Sequence, residues 1–382
     1  LLIRLIPMVE RNYNLVELGP RATGKSYVYK EICPYSILIS GGKTTVANLF
    51  YNLARNKIGL VGLWDVVAFD EVSGIEFEDK TAVQILKDYM ESGSFSRGKE
   101  LVQADASVVF AGNINTSVDV LTKTSHLFQP FPQAMQDMAF IDRLHYYLPG
   151  WRLPKMQTEF FTSRYGFVVD YLSEVMRELR KVSYVDAIEK HFALGKDLNA
   201  RDVKAVKRTI SGFLKLLHPD EKWTKEELRT YLELALEGRR RVKEQLKKMG
   251  SFEFYQTSFS YIDREDSKEH WVGVPEEGGS GHISPDPLPS GAVYTAALAD
   301  DRVSLHRIEV TKIPGSGKLS ITGNPGRHMR DSIKTAFDYV QARMAEIGIE
   351  QDVIRYDYRV QVVDLMRNEN ANEAGVAFFV AL

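Results

Sequence analysis

The sequence predicts an α/β chain followed by a smaller α+β part, and three observations carry that prediction. Short runs rich in valine and isoleucine recur at 36–40, 66–70 and 107–111. Their near-continuous hydrophobicity suits strands buried on both faces, and the intervals between them are long enough for crossover helices. Near residue 153 the pattern turns helical, and past a Gly- and Pro-rich stretch at 273–291 strand-like and helical segments alternate again.

In order, residues 14–18 (NLVEL) read as a short strand that runs into a glycine-rich turn and a helix start at Lys25-Ser26-Tyr27. Lys80 to Ser92 reads as a helix, with Val83, Leu86 and Met90 on one face. Helical periodicity then covers 167–180, 200–217 and 224–249, with no strand expected between them. Thr224-Lys225-Glu226-Glu227 is a capping box, with Trp223 and Leu228 at the positions of a hydrophobic staple. After the 273–291 connector, strands are expected at 303–310, 318–322 and 359–364. An amphipathic helix at 330–346 carries Ile333, Phe337, Val340 and Met344. The expected domains are a nucleotide-binding core at 1–152, a helical lid at 153–250, a linker at 251–300 and a second domain at 301–382. That last domain is expected to be truncated, because the apolar run at 376–382 is a poor natural end. A buried terminal element is the alternative.

The 382 residues include 49 basic and 51 acidic side chains, a formal charge of -2. That excludes a uniformly basic nucleic-acid coat but not a local basic patch. One cysteine, Cys33, excludes an intrachain disulfide framework and a thiolate zinc site, and favours a reducing, cytoplasmic compartment. No apolar stretch approaches the roughly 20 residues that span a bilayer, so no membrane role is expected.

Gly19-Pro20-Arg21-Ala22-Thr23-Gly24-Lys25-Ser26 matches G-x-x-x-x-G-K-[ST], between an expected strand and an expected helix. Such a loop turns its amide hydrogens toward phosphate oxygens, as ATP would present them. Lys25 would reach the β and γ phosphates, and Ser26 would join a Mg²⁺ shell. Val66-Val67-Ala68-Phe69-Asp70-Glu71 ends a buried strand in two carboxylates. Asp70 suits the metal shell, and Glu71 suits orienting and deprotonating a water. Two acids opening a surface loop would be the plain reading. Asn113, at the end of the 107–111 strand, is either a turn residue or a neutral amide that positions water.

Arg143 precedes another strand and suits reaching a neighbouring subunit's γ-phosphate; a salt bridge to Asp142 or another acid is the alternative. Arg201, opening a helix, suits a second positive charge, with Lys204, Lys207 and Arg208 competing for that role. The basic stretch from Arg239 to Lys248 suits either DNA phosphates or the solvated side of a long helix.

Together these features resemble the AAA+ ATPase module: a P-loop core with a helical lid. Residues 308–323 (IEVTKIPGSGKLSITG) resemble the opening of the Lon-type protease domain, with Met329, Ser332 and Phe337 continuing it. The whole order, including 142–151 (DRLHYYLPGW), resembles the Lon-related AAA+ proteins of bacterial BREX antiphage systems. The resemblance implies a homo-oligomeric ring, a hexamer or stacked rings, that hydrolyses ATP and associates with double-stranded DNA, with other BREX components as further partners. It also implies a pore-entering hairpin within 93–106, which places Arg97 and Lys99 near a phosphate backbone; an exposed hairpin with ordinary charges is the alternative.

Lon-type proteolysis uses a serine nucleophile and a lysine base. The corresponding segment is Asn372-Glu373-Ala374-Gly375, with Glu373 at the nucleophile's position. A carboxylate there would repel a developing oxyanion, so peptidase chemistry is expected to be absent. Ser316 and Ser320 are read as structural. The rival functions are an ATP-dependent unfoldase or protease of the Lon type and a nucleotide-gated assembly scaffold.

Overall fold

Alternation along the apolar strands sorts their side chains onto two faces of one sheet. Val16, Leu18, Val67, Phe69, Val108 and Phe110 enter one core, while Leu15, Val66, Ala68 and Val109 enter the core on the other face. In this computed structural model the described residues are 1–77, 80–97, 100–161, 163–250, 254, 258–277, 288–299, 302–323, 325–347, 353–364 and 375–381. They form two compact units, Leu1–Glu277 and Gly278–Leu382.

The strands of the first unit's core are β1 (Asn14–Gly19), β2 (Ser36–Thr44), a small hairpin of β3 (Tyr51–Asn52) and β4 (Lys57–Ile58), and β5 (Val66–Phe77). A second hairpin follows, β6 (Ser94–Arg97) with β7 (Glu100–Gln103), then β8 (Ser107–Asn113) and β9 (Tyr146–Pro149). The main sheet has the order β2-β5-β8-β1-β9 and every pairing in it is parallel. This is the expected α/β core. The helix Lys80–Ser92 and the hairpin between 93 and 106 both lie where the sequence placed them.

In the lid, helices Val169–Leu179, Ala200–Leu217 and Lys225–Lys248 form as expected. Capping boxes start the last two, at Asn199/Asp202 and Thr224/Glu227. Two expectations need correction. The lid region does contain a strand, β10 (Phe192–Leu194), and the supposed linker supplies β11 (Ser260–Asp263) and β12 (Glu269–Trp271), which complete an antiparallel sheet with it. Strands of three or four residues are too short to show a period, and Phe192 and Tyr261 are buried only because the lid helices cover them.

The second unit has a sheet of β13 (Ala292–Ala299), β14 (Arg302–Pro314), β15 (Leu319–Thr322) and β16 (Tyr356–Asp364), in the order β13-β14-β16-β15. β13 also falls inside the supposed linker. Helix Arg327–Ile347 places Met329, Ile333, Phe337 and Val340 against Ile308, Tyr358 and Val360. The terminal apolar run is a helix, Gly375–Ala381, that buries Phe378 and Ala381 and leaves Val376 and Val380 exposed. The Asp357 carboxylate accepts the amides of Ser316 and Lys318 at 2.8 and 2.9 Å, which explains the glycine-rich turn there as structural. These bonds, the Lys318 amide first, hold the Asp357 carboxyl below its ordinary range. Glu373 lies outside the described residues. No helix among those described is long and apolar enough to cross a membrane.

Candidate nucleotide site and arginine cluster

β1 ends at Gly19, where the chain must pass close to Gly150: a Cβ on Gly19 would meet the Gly150 carbonyl carbon at 2.5 Å. The loop then curls through left-handed conformations at Ala22 (φ +65°) and Gly24 (φ +77°) before the helix opens at Lys25. A buried ion pair underlies it. Arg4 donates to Glu17 on β1 and, through Nη1, to the Thr23 carbonyl at 2.9 Å. Neither residue stands out as part of the site in the sequence; the one signal there is a carboxylate inside the apolar NLVEL strand.

The two acids are placed by a bulge. β5 stays in register with β8 up to Phe69 opposite Phe110. Against β2, Ser40 pairs with Asp70, but the next pair is Gly42 with Ile75, so residues 71–74 swing out of the ladder. Glu71 takes a left-handed backbone (φ +48°), and its amide donates to Asp70 Oδ1 at 3.0 Å. For a residue with a Cβ that conformation costs on the order of 1–3 kcal/mol, and such strain clusters at functional positions. β8 continues to Asn113, opposite Gly19.

Where the strand ends part, a cavity of about 520 Å³ opens, lined by residues 21–27 together with Asp70, Glu71 and Asn113. Arg21, Ala22, Thr23, Gly24, Lys25, Ser26, Asp70, Glu71 and Asn113 are thus brought together. Tyr27 joins them without having been anticipated. Gly19 and Pro20, expected to bind nucleotide, do not line the cavity. Their carbonyls accept hydrogen bonds from Lys25 Nζ at 3.2 and 2.6 Å, so they hold the lysine from behind. Burial lowers the Lys25 pKa, while the carboxylate of Glu17 opposes that shift.

Arg143 and Arg201 stand apart from this cavity. They share a separate narrow cleft with Lys204 and Arg239. Arg143 Nη1 donates to the Ala139 carbonyl at 2.5 Å, and its Nε faces the Glu91 carboxylate at 3.3 Å. Arg201 donates to Glu91 at 2.9 Å and to Asp142 at 2.8 Å. The salt bridge considered for Arg143 therefore exists, but to Glu91 rather than Asp142. Asp142 is buried and also accepts from Arg239 at 2.7 Å and Lys243 at 2.8 Å. Burial alone would raise its pKa, but Arg239 and Lys243 outweigh that and hold it below the usual carboxylate value. The rival cations each have partners of their own. Lys204 donates to the Glu91 carbonyl, Lys207 pairs with Asp186 and Glu189, and Arg208 donates to the carbonyls of Arg11 and Asn12.

The basic stretch 239–248 is divided: Arg240, Lys247 and Lys248 are half-buried, with Arg240 and Lys247 beside Glu244, and the other three cations are drawn inside. Arg239, Arg241 and Lys243 are buried and paired, to Asp202 and Asp142, to Glu237 and Glu276, and to Asp142 and Asp202 respectively. Their partners are mostly distant in sequence, which is why the run looked like an open basic face. Lys99 lies outside the described residues.

A parallel sheet with a phosphate loop at its centre, an acid-ended strand, an asparagine-ended strand and a helical lid defines a P-loop ATPase module of the AAA+ type. Residues 1–260 match the family described as "Lon-like protease BrxL-like, ATPase domain", and residues 290–382 match "Lon protease (S16) C-terminal proteolytic domain". The chain belongs to this Lon-related, BrxL-like ATPase family. It is 54% identical to "Lon-like protease BrxL" of Bacillus cereus (strain H3081.97) and 53% identical to the protein of that name in Escherichia coli O9:H4 (strain HS). Both matches cover 100% of the chain but 57% and 55% of those proteins, so the chain spans about half their length. "Lon protease 1" of Bacillus subtilis (strain 168) is 37% identical over 94 residues, 24% of the chain and 12% of that protein.

Proposed function

We propose that the chain is the motor part of a ring-forming ATPase that couples ATP binding and hydrolysis to DNA association in cytoplasmic antiphage defence, without peptidase activity of its own. One observation carries the ATPase reading: Lys25, Ser26, Asp70, Glu71 and Asn113, scattered over nearly ninety residues of sequence, line one cavity at the ends of parallel strands.

The loop amides of 21–25 and the Lys25 ammonium would hold the β and γ phosphates. Glu71, swung out by the bulge, takes a proton from the attacking water, and Asn113 orients that water through its amide. The Ser26 hydroxyl and the Asp70 carboxylate are oxygen donors of the kind Mg²⁺ prefers, and both line the cavity. They would hold the ion, which when bound offsets charge on the phosphates. Arg143 and Arg201 line a different cleft, which supports their acting on the nucleotide of a neighbouring copy. Such an arginine would add to the charge neutralisation that Lys25 and the loop amides supply in the transition state.

DNA association rests on the family resemblance and on the β6–β7 hairpin that precedes β8. A role beside other BREX components has the same support. The match of 290–382 to a proteolytic domain favours a second reading, an ATP-driven unfoldase.

Mixed assemblies test the central claim. Arg143→Ala subunits and Lys25→Ala subunits, each inactive alone, should regain part of the ATPase rate when co-assembled, because some intact pockets then face intact arginines. No recovery in assemblies shown to contain both subunits would overturn the shared site.

A further inference from the structure

The two arginines assigned above to a neighbour's nucleotide already share an anion within their own chain. Glu91 Oε2 lies 2.9 Å from Arg201 Nε and 3.3 Å from Arg143 Nε, so one carboxylate oxygen faces both guanidinium groups. Glu91 is the penultimate residue of the helix Lys80–Ser92, three residues before β6. A carboxylate in the last turn of a helix lies against the negative end of the helix dipole, an unfavourable place for it. The arginines offset that cost, and Lys204 secures the same turn by donating to the Glu91 carbonyl at 2.7 Å.

The two ends of the cluster differ. Asp142 is buried and held by Arg201, Arg239 and Lys243 together. Glu91 is 38% exposed and Arg201 41% exposed, so their pairing is reached by solvent and readily exchanged. Arg143 is 14% exposed; apart from Glu91 it is anchored by Nη1 to the Ala139 carbonyl. Exchanging Glu91 for another anion would leave each arginine a second anchor, Asp142 for Arg201 and the Ala139 carbonyl for Arg143. An arriving phosphate therefore displaces one exposed carboxylate without exposing a buried charge.

We propose that Glu91 is a positioning residue that acts as an exchangeable counter-anion: it holds Arg143 and Arg201 ready and competes with the γ-phosphate of a neighbouring copy's nucleotide for them. This rests on the trans-acting arginines proposed above. Every turnover must break the pairing, so Glu91 restrains the basal rate. A competing exposed ion pair of this kind alters a rate by about two- to fivefold.

The test is the steady-state ATPase of the full chain carrying Glu91→Gln, alone and combined with Arg143→Ala, with assembly size and melting temperature measured in parallel. The neutral, isosteric Glu91→Gln should raise the basal rate about two- to fivefold. Glu91→Asp, which keeps the anion, should stay near wild type, and in the Arg143→Ala background Glu91→Gln should change nothing. A Glu91→Gln protein that assembles and turns over at or below the wild-type rate overturns the proposal. So does a Glu91→Gln protein that fails to assemble where Glu91→Asp succeeds, because the role is then structural. If Arg143→Ala alone leaves the rate unchanged, the trans-arginine reading fails and takes this proposal with it. If Arg143→Ala is inactive and Glu91→Gln is not faster, only the Glu91 assignment falls.

Discussion

Arg4 and Glu17 form a buried ion pair beneath the phosphate loop, with hydrogen bonds of 2.8 and 2.5 Å, and Arg4 spends a further nitrogen on the Thr23 carbonyl. The pair thus joins the strand below the loop to the loop itself. Removing one partner leaves an uncompensated buried charge, so Glu17→Ala should cost about 3–5 kcal/mol in urea unfolding. Replacing both, Arg4→Met with Glu17→Leu, should restore much of that stability. It should not restore nucleotide affinity, because the Thr23 carbonyl has lost its donor. Recovery of both together would reduce the pair to a packing role.

Lys25→Ala should abolish productive ATP binding, since the cationic partner of the γ-phosphate is gone. Glu71→Gln should retain nucleotide and slow hydrolysis by roughly 100-fold or more, the usual contribution of a positioned base. Equilibrium binding of a fluorescent ATP analogue and single-turnover hydrolysis separate the two effects. Wild-type turnover in Glu71→Gln would remove the residue from the water's path.

DNA binding through the β6–β7 hairpin should be steeply salt-dependent and nearly indifferent to sequence, because it would rest on phosphate contacts. Neutralising Arg97 and Lys99 together should shallow the slope of log K against log salt by nearly two. Basal ATP hydrolysis should persist. An unaltered slope in a fluorescence-anisotropy salt series would take the hairpin out of the interface.

His145 gives the fold a pH dependence near neutrality. It is buried, and its Nδ1 accepts the Asn14 amide at 2.9 Å, which requires that nitrogen to be unprotonated. Burial, helped by Arg208 and Lys204, pushes its pKa well below the ordinary value of 6.5. Well above pH 6.5 both folded and unfolded forms are neutral and the residue has no effect. Below it only the unfolded chain takes up the proton, so stability falls by up to about 1.4 kcal/mol per pH unit as the pH drops. His145→Asn keeps an acceptor without a titration in this range. It should flatten the melting-temperature profile between pH 7 and 5.5, whatever it does to the absolute value.

Glu373 should leave the Lon-like unit without peptidase activity. No ATP-dependent casein cleavage and no labelling at this position by serine-directed probes are expected. Cleavage that disappears in Glu373→Ala while the assembly stays intact would establish a carboxylate-based peptidase instead.

The phosphate loop was legible because its chemistry is local: eight consecutive residues dictate the turn, and a strand before and a helix after them supply the context. The partners of Arg143 and of Arg239 were not legible, because Glu91 lies fifty-two residues from the first and Asp142 ninety-seven from the second. The short strand β10 was equally hidden, since three residues show no period and its partner β11 lies beyond the two helices Ala200–Leu217 and Lys225–Lys248.

By itself the sequence determined that a P-loop precedes an acid-ended strand and an asparagine-ended strand, that helices follow, and that a Lon-like segment comes last. Periodicity and turn chemistry act over a few residues, and these features need no more. Only the tertiary structure decided which charges are spent inside the fold and which are left to act on something else. It buried Arg239, Arg241 and Lys243 among carboxylates, swung Glu71 out of its ladder, and set Arg143 and Arg201 on Glu91, away from the cavity at the P-loop. A charge's role depends on which opposite charge folding brings within about 4 Å and on how much water remains around the pair, and neither quantity exists until the chain has packed.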